Sequence, residues 1–179
     1  GTGVYKVLKS QKEEMIPKLG SEIEISKVLV RNLEKAASKV EDPKILTNNW
    51  DDIVNDPEID IVIELIGGIE PARTYILSAL NAGKHVVSAN KDLIAVHGKE
   101  LLDAAEEHGV DFLFEAAVAG GIPIISPLKN SLEANHVTEV MGIVNGTTNF
   151  ILTKMVKEGA PFSEVLKLAQ NVVQVFFGK

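Results

Sequence analysis

The sequence predicts an α/β fold built on a doubly wound parallel sheet, followed by the start of an α+β domain. Apolar runs recur at 23–30, 59–66, 85–88, 111–116 and 137–144, several of them nearly continuous in Ile and Val. Strands covered on both faces of a parallel sheet read this way, because neither face has to be polar. Amphipathic segments alternate with these runs at 4–18, 33–40, 72–82, 98–108 and 123–131, and strand–helix alternation is the mark of parallel crossover units. The character changes after about Ala117, where a compact Ala119-Gly120-Gly121-Ile122-Pro123 turn leads to one strand and two helices, 148–158 and 163–173. Two domains are therefore expected, 1–117 and 118–179.

The punctuation supports these elements in order. Gly1-Thr2-Gly3-Val4 heads the first helix. Gly83 and Gly109 stand where the helices 72–82 and 98–108 should stop, Gly159 ends the helix 148–158, and Ser163 is a suitable N-cap for the last one. Residue 1 already belongs to a glycine-rich turn, so the sequence is expected to begin inside a domain. The apolar, aromatic tail at 172–179 has the look of a cut or frame-shifted end.

Composition narrows the function classes. The 179 residues are 45% hydrophobic and 24% charged, as in ordinary soluble domains, and only 5% aromatic, so the core has to be built from Val, Ile, Leu and Ala. There is no cysteine, which excludes disulfides, thiolate metal sites and a cysteine nucleophile, and is compatible with a cytoplasmic location. The net charge of −7 comes without a basic stripe, so nucleic acid is not an expected partner. No apolar run approaches the ~20 residues a membrane helix needs, so no membrane partner is expected either. The four histidines have no metal-ligand spacing.

Candidate chemistry lies at strand ends. Gly1 and Gly3 head a helix as a dinucleotide fingerprint requires, since backbone amides must approach a pyrophosphate there; the same glycines fit a flexible chain start. Arg31 and Asn32 follow the run 23–30, where a dinucleotide's adenosine ribose is met. A basic residue at that point can pair with the 2′-phosphate of NADP, and Arg31 is equally readable as a surface partner of Glu34. Gly67 and Gly68 end the run 59–66, at the strand end where open α/β sheets bind ligands, or simply make a tight turn. Ser88 and Lys91 follow the run 85–88; a cation there opposes the helix dipole, which makes Lys91 suspect as a cofactor or substrate contact. Glu115 precedes the turn Val118-Ala119-Gly120-Gly121-Ile122, whose carbonyls and carboxylate are of the type that holds a hard cation, though plain turns look the same. Gly146 and Thr147 lie in a polar turn that either faces substrate or enters a helix.

The segments GTGVYKVL, IELIGGIEPAR, GKHVVSANKDLIAVHG, FEAAVAGGIPII and GIVNGTTNFILTKM, in this order, closely resemble homoserine dehydrogenases from residue 1 to about Gln170. The resemblance implies a Rossmann-like NAD(P)-binding domain at 1–117 lacking its first strand, and part of a catalytic and dimerisation domain at 118–179. It implies interconversion of L-aspartate 4-semialdehyde and L-homoserine, in threonine, methionine and isoleucine biosynthesis, with NADP or NAD as cofactor and a homodimer as the assembled state. By position, Gly1, Gly3, Arg31, Gly67, Gly68, Ser88 and Lys91 match cofactor-contacting segments, with Lys91 also at the active site. Gly146 and Thr147 match the substrate-facing turn. Glu115, Val118, Gly120 and Ile122 match a monovalent-cation site, usually sodium.

The sequence departs from the family at its end. Where the family continues into a segment of the type ELGYAEADP with a substrate-binding glutamate, 171–179 reads NVVQVFFGK and Phe176 stands in that place. The family's main catalytic lysine lies beyond residue 179, so general acid–base help, typically worth ~10²–10⁴-fold in rate, is expected to be missing from the isolated chain. Two other readings are a non-catalytic nucleotide-binding or association fragment, and a Rossmann oxidoreductase acting on a different semialdehyde.

Overall fold

The computed structural model describes residues 1–142 and 145–177. The chain divides into two compact units, Gly1–Ala117 and Val118–Lys179.

The first unit opens with helices α1 (Thr2–Ser10) and α2 (Lys12–Leu19). One helix over 4–18 was expected; it is broken at Gln11, which sits at φ −107° and ψ 13°. The Gln11 amide still closes the last helical bond to the Val7 carbonyl, while the Ser10 hydroxyl reaches the same carbonyl, a local side-chain bond of the kind that competes with helix continuation. Strand β1 (Val28–Leu29) pairs in parallel with β2 (Leu46–Thr47), with helix α3 (Leu33–Ala37) and a 3₁₀ turn (Pro43–Ile45) between them. Only two residues of the run 23–30 become strand, because β2 offers only a two-residue partner. Helix α3 is shorter than the expected 33–40. Its N-cap is Asn32, whose side chain accepts from the Lys35 amide at 2.8 Å.

Helix α4 (Asp51–Val54) leads to β3 (Ile61–Glu64), α5 (Ala72–Asn81), β4 (His85–Ser88), α6 (Lys91–His108) and β5 (Phe112–Leu113). The three strands form one parallel sheet in the order β3-β4-β5. Helix α6 starts seven residues before the expected 98, because Asn90 caps it by accepting from the Leu93 amide. Helices α5 and α6 bury Ala72, Ile76, Ala79, Leu80, Leu93, Leu101 and Ala105 against Val86 and Phe112. Ile76, Leu80, Leu93 and Leu101 are fully buried, each contributing roughly 1.5–3 kcal/mol of transfer free energy. Gly109 and Gly159 end their helices in the left-handed region, at φ 65° each.

Coverage on both strand faces, as the Ile/Val runs suggested, is not what β3 shows. Ile61 and Ile63 are 53% and 41% exposed, because they alternate to the face opposite Val62, which is the face packed with Val86 in the core. After β5 the chain turns into a 3₁₀ segment, Glu115–Ala117, in place of the expected strand end.

The second unit holds a π-helical turn (Pro127–Ser131), α7 (Gly146–Glu158) and α8 (Phe162–Phe177). The helix expected at 123–131 forms over 125–131, two α-helical residues running into this turn. Pro127 has no N–H to donate, and the Leu132 amide reaches back five residues to the Pro127 carbonyl at 3.1 Å. The strand expected at 137–144 does not form over 137–142, where Val140 and Met141 are 61% and 84% exposed; its last two residues lie outside the described ones. A strand needs a ladder partner, and none occurs among the described residues of this unit. Helix α8 starts one residue before Ser163, with the Pro161 carbonyl accepting from the Glu164 and Val165 amides, so Ser163 is inside the first turn and not the cap. Ile151, Val165 and Ala169 form the contact core between α7 and α8.

Candidate functional site

Because β3, β4 and β5 are adjacent and parallel, their carboxyl ends share one edge. Glu64 stands in register with Ser88, and Val87 with Leu113. The segments that follow are Leu65–Gly68, Ala89–Lys91 and Phe114–Glu115, so Gly67, Gly68, Ser88, Lys91 and Glu115 are gathered at this edge. Open α/β sheets bind ligands in this place.

The crest after β3 is made by two consecutive left-handed residues, Gly67 at φ 78° and Gly68 at φ 73°. Any other residue would be strained at both. A Cβ on either would meet nothing within 4 Å, so the crest faces open space and not packed protein. Beneath it lies a polar network. The buried Glu64 carboxylate accepts from the Ile66 amide at 2.6 Å, the Gly67 amide at 3.1 Å and the Ser88 hydroxyl at 2.7 Å. The Ser88 oxygen in turn accepts from the Asn90 amide at 3.1 Å, and the Asn90 side chain donates to the Gly68 carbonyl at 2.7 Å.

Lys91 is the first residue of α6, exposed and without an ion pair among the described residues. A cation at the positive end of a helix dipole gains nothing locally, so its placement favours an external negative partner. Farther along α5 and α6, Arg73 Nε donates to Glu100 Oε2 at 2.8 Å and its Nη2 pairs with the same carboxylate, which also contacts His97 Nδ1 at 3.1 Å. Arg73 hydrogen-bonding and charge hold the Glu100 carboxyl below its ordinary value of about 4.5, and Glu100 in turn raises the Arg73 guanidinium.

The other candidates belong to other segments of the chain. Gly1 is the N-cap of α1 and Gly3 lies in its first turn, both facing open space. Arg31 follows β1, on the separate β1–β2 ladder; among the described residues no hydrogen-bonded ladder joins β1 to β3. Arg31 is exposed and makes no ion pair with Glu34 among those residues, so the pairing that its sequence allowed is not formed. The candidate sodium ligands are divided at the boundary between the units: Glu115 belongs to the first, and Val118, Gly120 and Ile122 to the second. In the turn itself Ala119 and Gly120 are both left-handed, at φ 55° and 62°, and the Ile122 amide donates to the Ala119 carbonyl. Among the described residues no group of three or more His, Asp or Glu could hold a metal ion. Gly146 and Thr147 open α7, capped by Asn145, whose side chain accepts from the Thr148 amide at 2.9 Å.

Sequence reasoning missed Glu64 and Asn90. Glu64 reads as a break in an apolar run, and only its register opposite Ser88 gives it a partner. Asn90 had a signal, since Asn is a favoured N-cap residue and Asp92 follows in what would be the first turn.

No helix among the described residues is long and apolar enough to cross a membrane. Residues 1–115 match the family described as "Homoserine dehydrogenase, NAD binding domain", and 123–173 match "Homoserine dehydrogenase". The homoserine dehydrogenase of Bacillus subtilis is 51% identical over 173 residues, 96% of this chain and 40% of its own length. The crystal structure of a homoserine dehydrogenase from Thiobacillus denitrificans superposes with a TM-score of 0.85 at 50% identity, covering 96% of this chain and 40% of that one. A hyperthermophilic archaeal homoserine dehydrogenase in complex with NADPH superposes at 0.63 with 26% identity, covering 89% of this chain and 56% of that one. The chain thus spans about 40% of the length of its bacterial relatives. With a Rossmann-like parallel α/β unit and both family matches in chain order, the chain belongs to the homoserine dehydrogenase family.

Proposed function

We propose that the protein to which these residues belong is an NAD(P)-dependent homoserine dehydrogenase, interconverting L-aspartate 4-semialdehyde and L-homoserine in the biosynthesis of threonine, methionine and isoleucine. The observation that supports this most is the edge where Gly67, Gly68, Ser88 and Lys91 follow adjacent parallel strands, in a chain matching the family's NAD binding domain over 1–115. The open crest and the exposed cation fit a flat, anionic dinucleotide. When bound, the dinucleotide supplies or accepts the hydride.

The chain's residues then do the binding and the electrostatics. Gly1 and Gly3, at the start of α1, lie against the pyrophosphate. Arg31 pairs with a 2′-phosphate, which makes NADP the preferred cofactor and NAD the weaker one. Lys91 points positive charge at the substrate oxygen and stabilises the negative charge that develops there as hydride arrives. First-turn amides of α7 at Gly146 and Thr147 receive the polar end of the amino-acid substrate. The carbonyls of Val118, Gly120 and Ile122 are of the donor type a sodium ion takes, with Glu115 the carboxylate the family resemblance adds. We further propose a homodimer working in the cytoplasm.

The test uses the full-length protein. It is expected to reduce NADP⁺ with L-homoserine, followed by absorbance of the reduced nicotinamide. Lys91→Ala is expected to lower kcat about 100-fold with an unchanged unfolding temperature, since the lysine makes no ion pair to lose. Turnover near wild type in Lys91→Ala removes that residue's role; absence of homoserine oxidation with either dinucleotide removes the whole reading.

A further inference from the structure

We infer that Glu64 is a positioning residue that sets the dinucleotide crest, acting by reach and not by charge. The inference rests on the dinucleotide reading above. Glu64 touches neither open space nor solvent to any extent, being 4% exposed. Its two oxygens divide their work. Oε1 takes the amides of Ile66 and Gly67, and Oε2 takes the Ser88 hydroxyl from the next strand.

Asn90 holds the same crest from its other end. Its Nδ2 donates to the Gly68 carbonyl while its Oδ1 accepts from the Leu93 amide at the start of α6. Ser88 closes the circuit, donating to Glu64 and accepting from the Asn90 amide. The crest that carries Gly67 and Gly68 and the turn that carries Lys91 are therefore one preformed surface. A ligand that meets both does not have to order them on binding, and the ordering cost it avoids appears as affinity.

The same bonds fix what the crest can contact. Phosphate-binding turns work by aiming free amides at the anion. Here the Ile66 and Gly67 amides are turned inward onto a carboxylate, so these two are not offered to a phosphate. The crest meets an uncharged stretch of the dinucleotide, ribose or ring, and leaves the pyrophosphate to other groups.

Two conservative variants of the full-length protein separate reach from charge. Glu64→Gln keeps the length: its amide oxygen can still accept from both backbone amides, and its amide nitrogen can donate to Ser88. Glu64→Asp keeps the charge but withdraws the carboxylate by one methylene. We expect the dinucleotide KM to rise about tenfold in Glu64→Asp, as for loss of buried hydrogen bonds, and to stay within about threefold of wild type in Glu64→Gln. The homoserine KM should be unchanged in both. A merely structural role would lower the folded fraction, and with it the apparent kcat and the unfolding temperature, without moving either KM.

The reverse ranking, or a dinucleotide KM equal to wild type in Glu64→Asp, overturns the inference. If Glu64→Asp does not fold, direct titration of Glu64→Gln with NADPH by fluorescence still decides: a dissociation constant raised tenfold or more overturns it, because reach is then insufficient. Wild-type protein that binds no nicotinamide dinucleotide removes the function reading and this inference together, whereas wild-type binding with either failure above removes the inference alone.

Discussion

Residues 1–47 and residues 50–117 contain the same kinds of segment, yet they end up very differently built. Among residues 1–47 only Thr47 is buried, and helices α1, α2 and α3 bury nothing. In 50–117 two helices and two strands contribute nine residues to one contiguous core. The apolar runs 23–30 and 59–66 are similar in composition. The second finds a four-residue ladder with β4, and the first a two-residue ladder with β2. Apolar content marks a segment that can become strand; the length of strand that forms depends on the neighbour and on the helices that cover the pair.

This contrast can be broken or sharpened by substitution. The largest effect is expected from Leu101→Ala, which empties a fully buried site under α5 and β4. It should cost about 2–5 kcal/mol, read by urea denaturation or by hydrogen exchange of the β4 amides. Arg31→Ala is expected to act oppositely: no loss of stability, and a fall of about tenfold in preference for NADP⁺ over NAD⁺ in the full-length protein. An unchanged cofactor ratio would take the 2′-phosphate role away from Arg31. Val28→Ala, in the half-buried β1, should cost under about 1 kcal/mol. A cost as large as that of Leu101→Ala would show that the N-terminal ladder shares the main core.

The smallest effect concerns the Arg73–Glu100–His97 group on α5 and α6. The Glu100 carboxyl is held below its ordinary value by Arg73 first and His97 second. A group depressed in the folded state contributes stability above its unfolded value of about 4.5, and loses it as pH falls through the lower folded value. Glu100→Gln should therefore flatten the acid limb of the stability profile. The group is partly exposed, so the shift in unfolding temperature at neutral pH should be at most about 2 °C. An acid limb identical to wild type would mean the pair is screened out.

Some of the molecule was legible in the letters alone. The strand at His85–Ser88 has the bounds its apolar run suggested, and the helix stops at Gly109 and Gly159 fall where a glycine follows an amphipathic segment. These features are local: they depend on which residues tolerate which backbone angles and on the period of apolar side chains. The order of the five family segments also needed no coordinates, because it is a property of sequence.

Tertiary structure decided what required a partner. The register that sets Glu64 opposite Ser88, the inward turn of the Ile66 and Gly67 amides, and the tie between Asn90 and Gly68 all join residues 20 or more positions apart or depend on such a joining. So did the failure of 137–142 to form a strand, for want of a ladder. A hydrogen bond across strands has two ends, and a linear pattern specifies only one of them at a time.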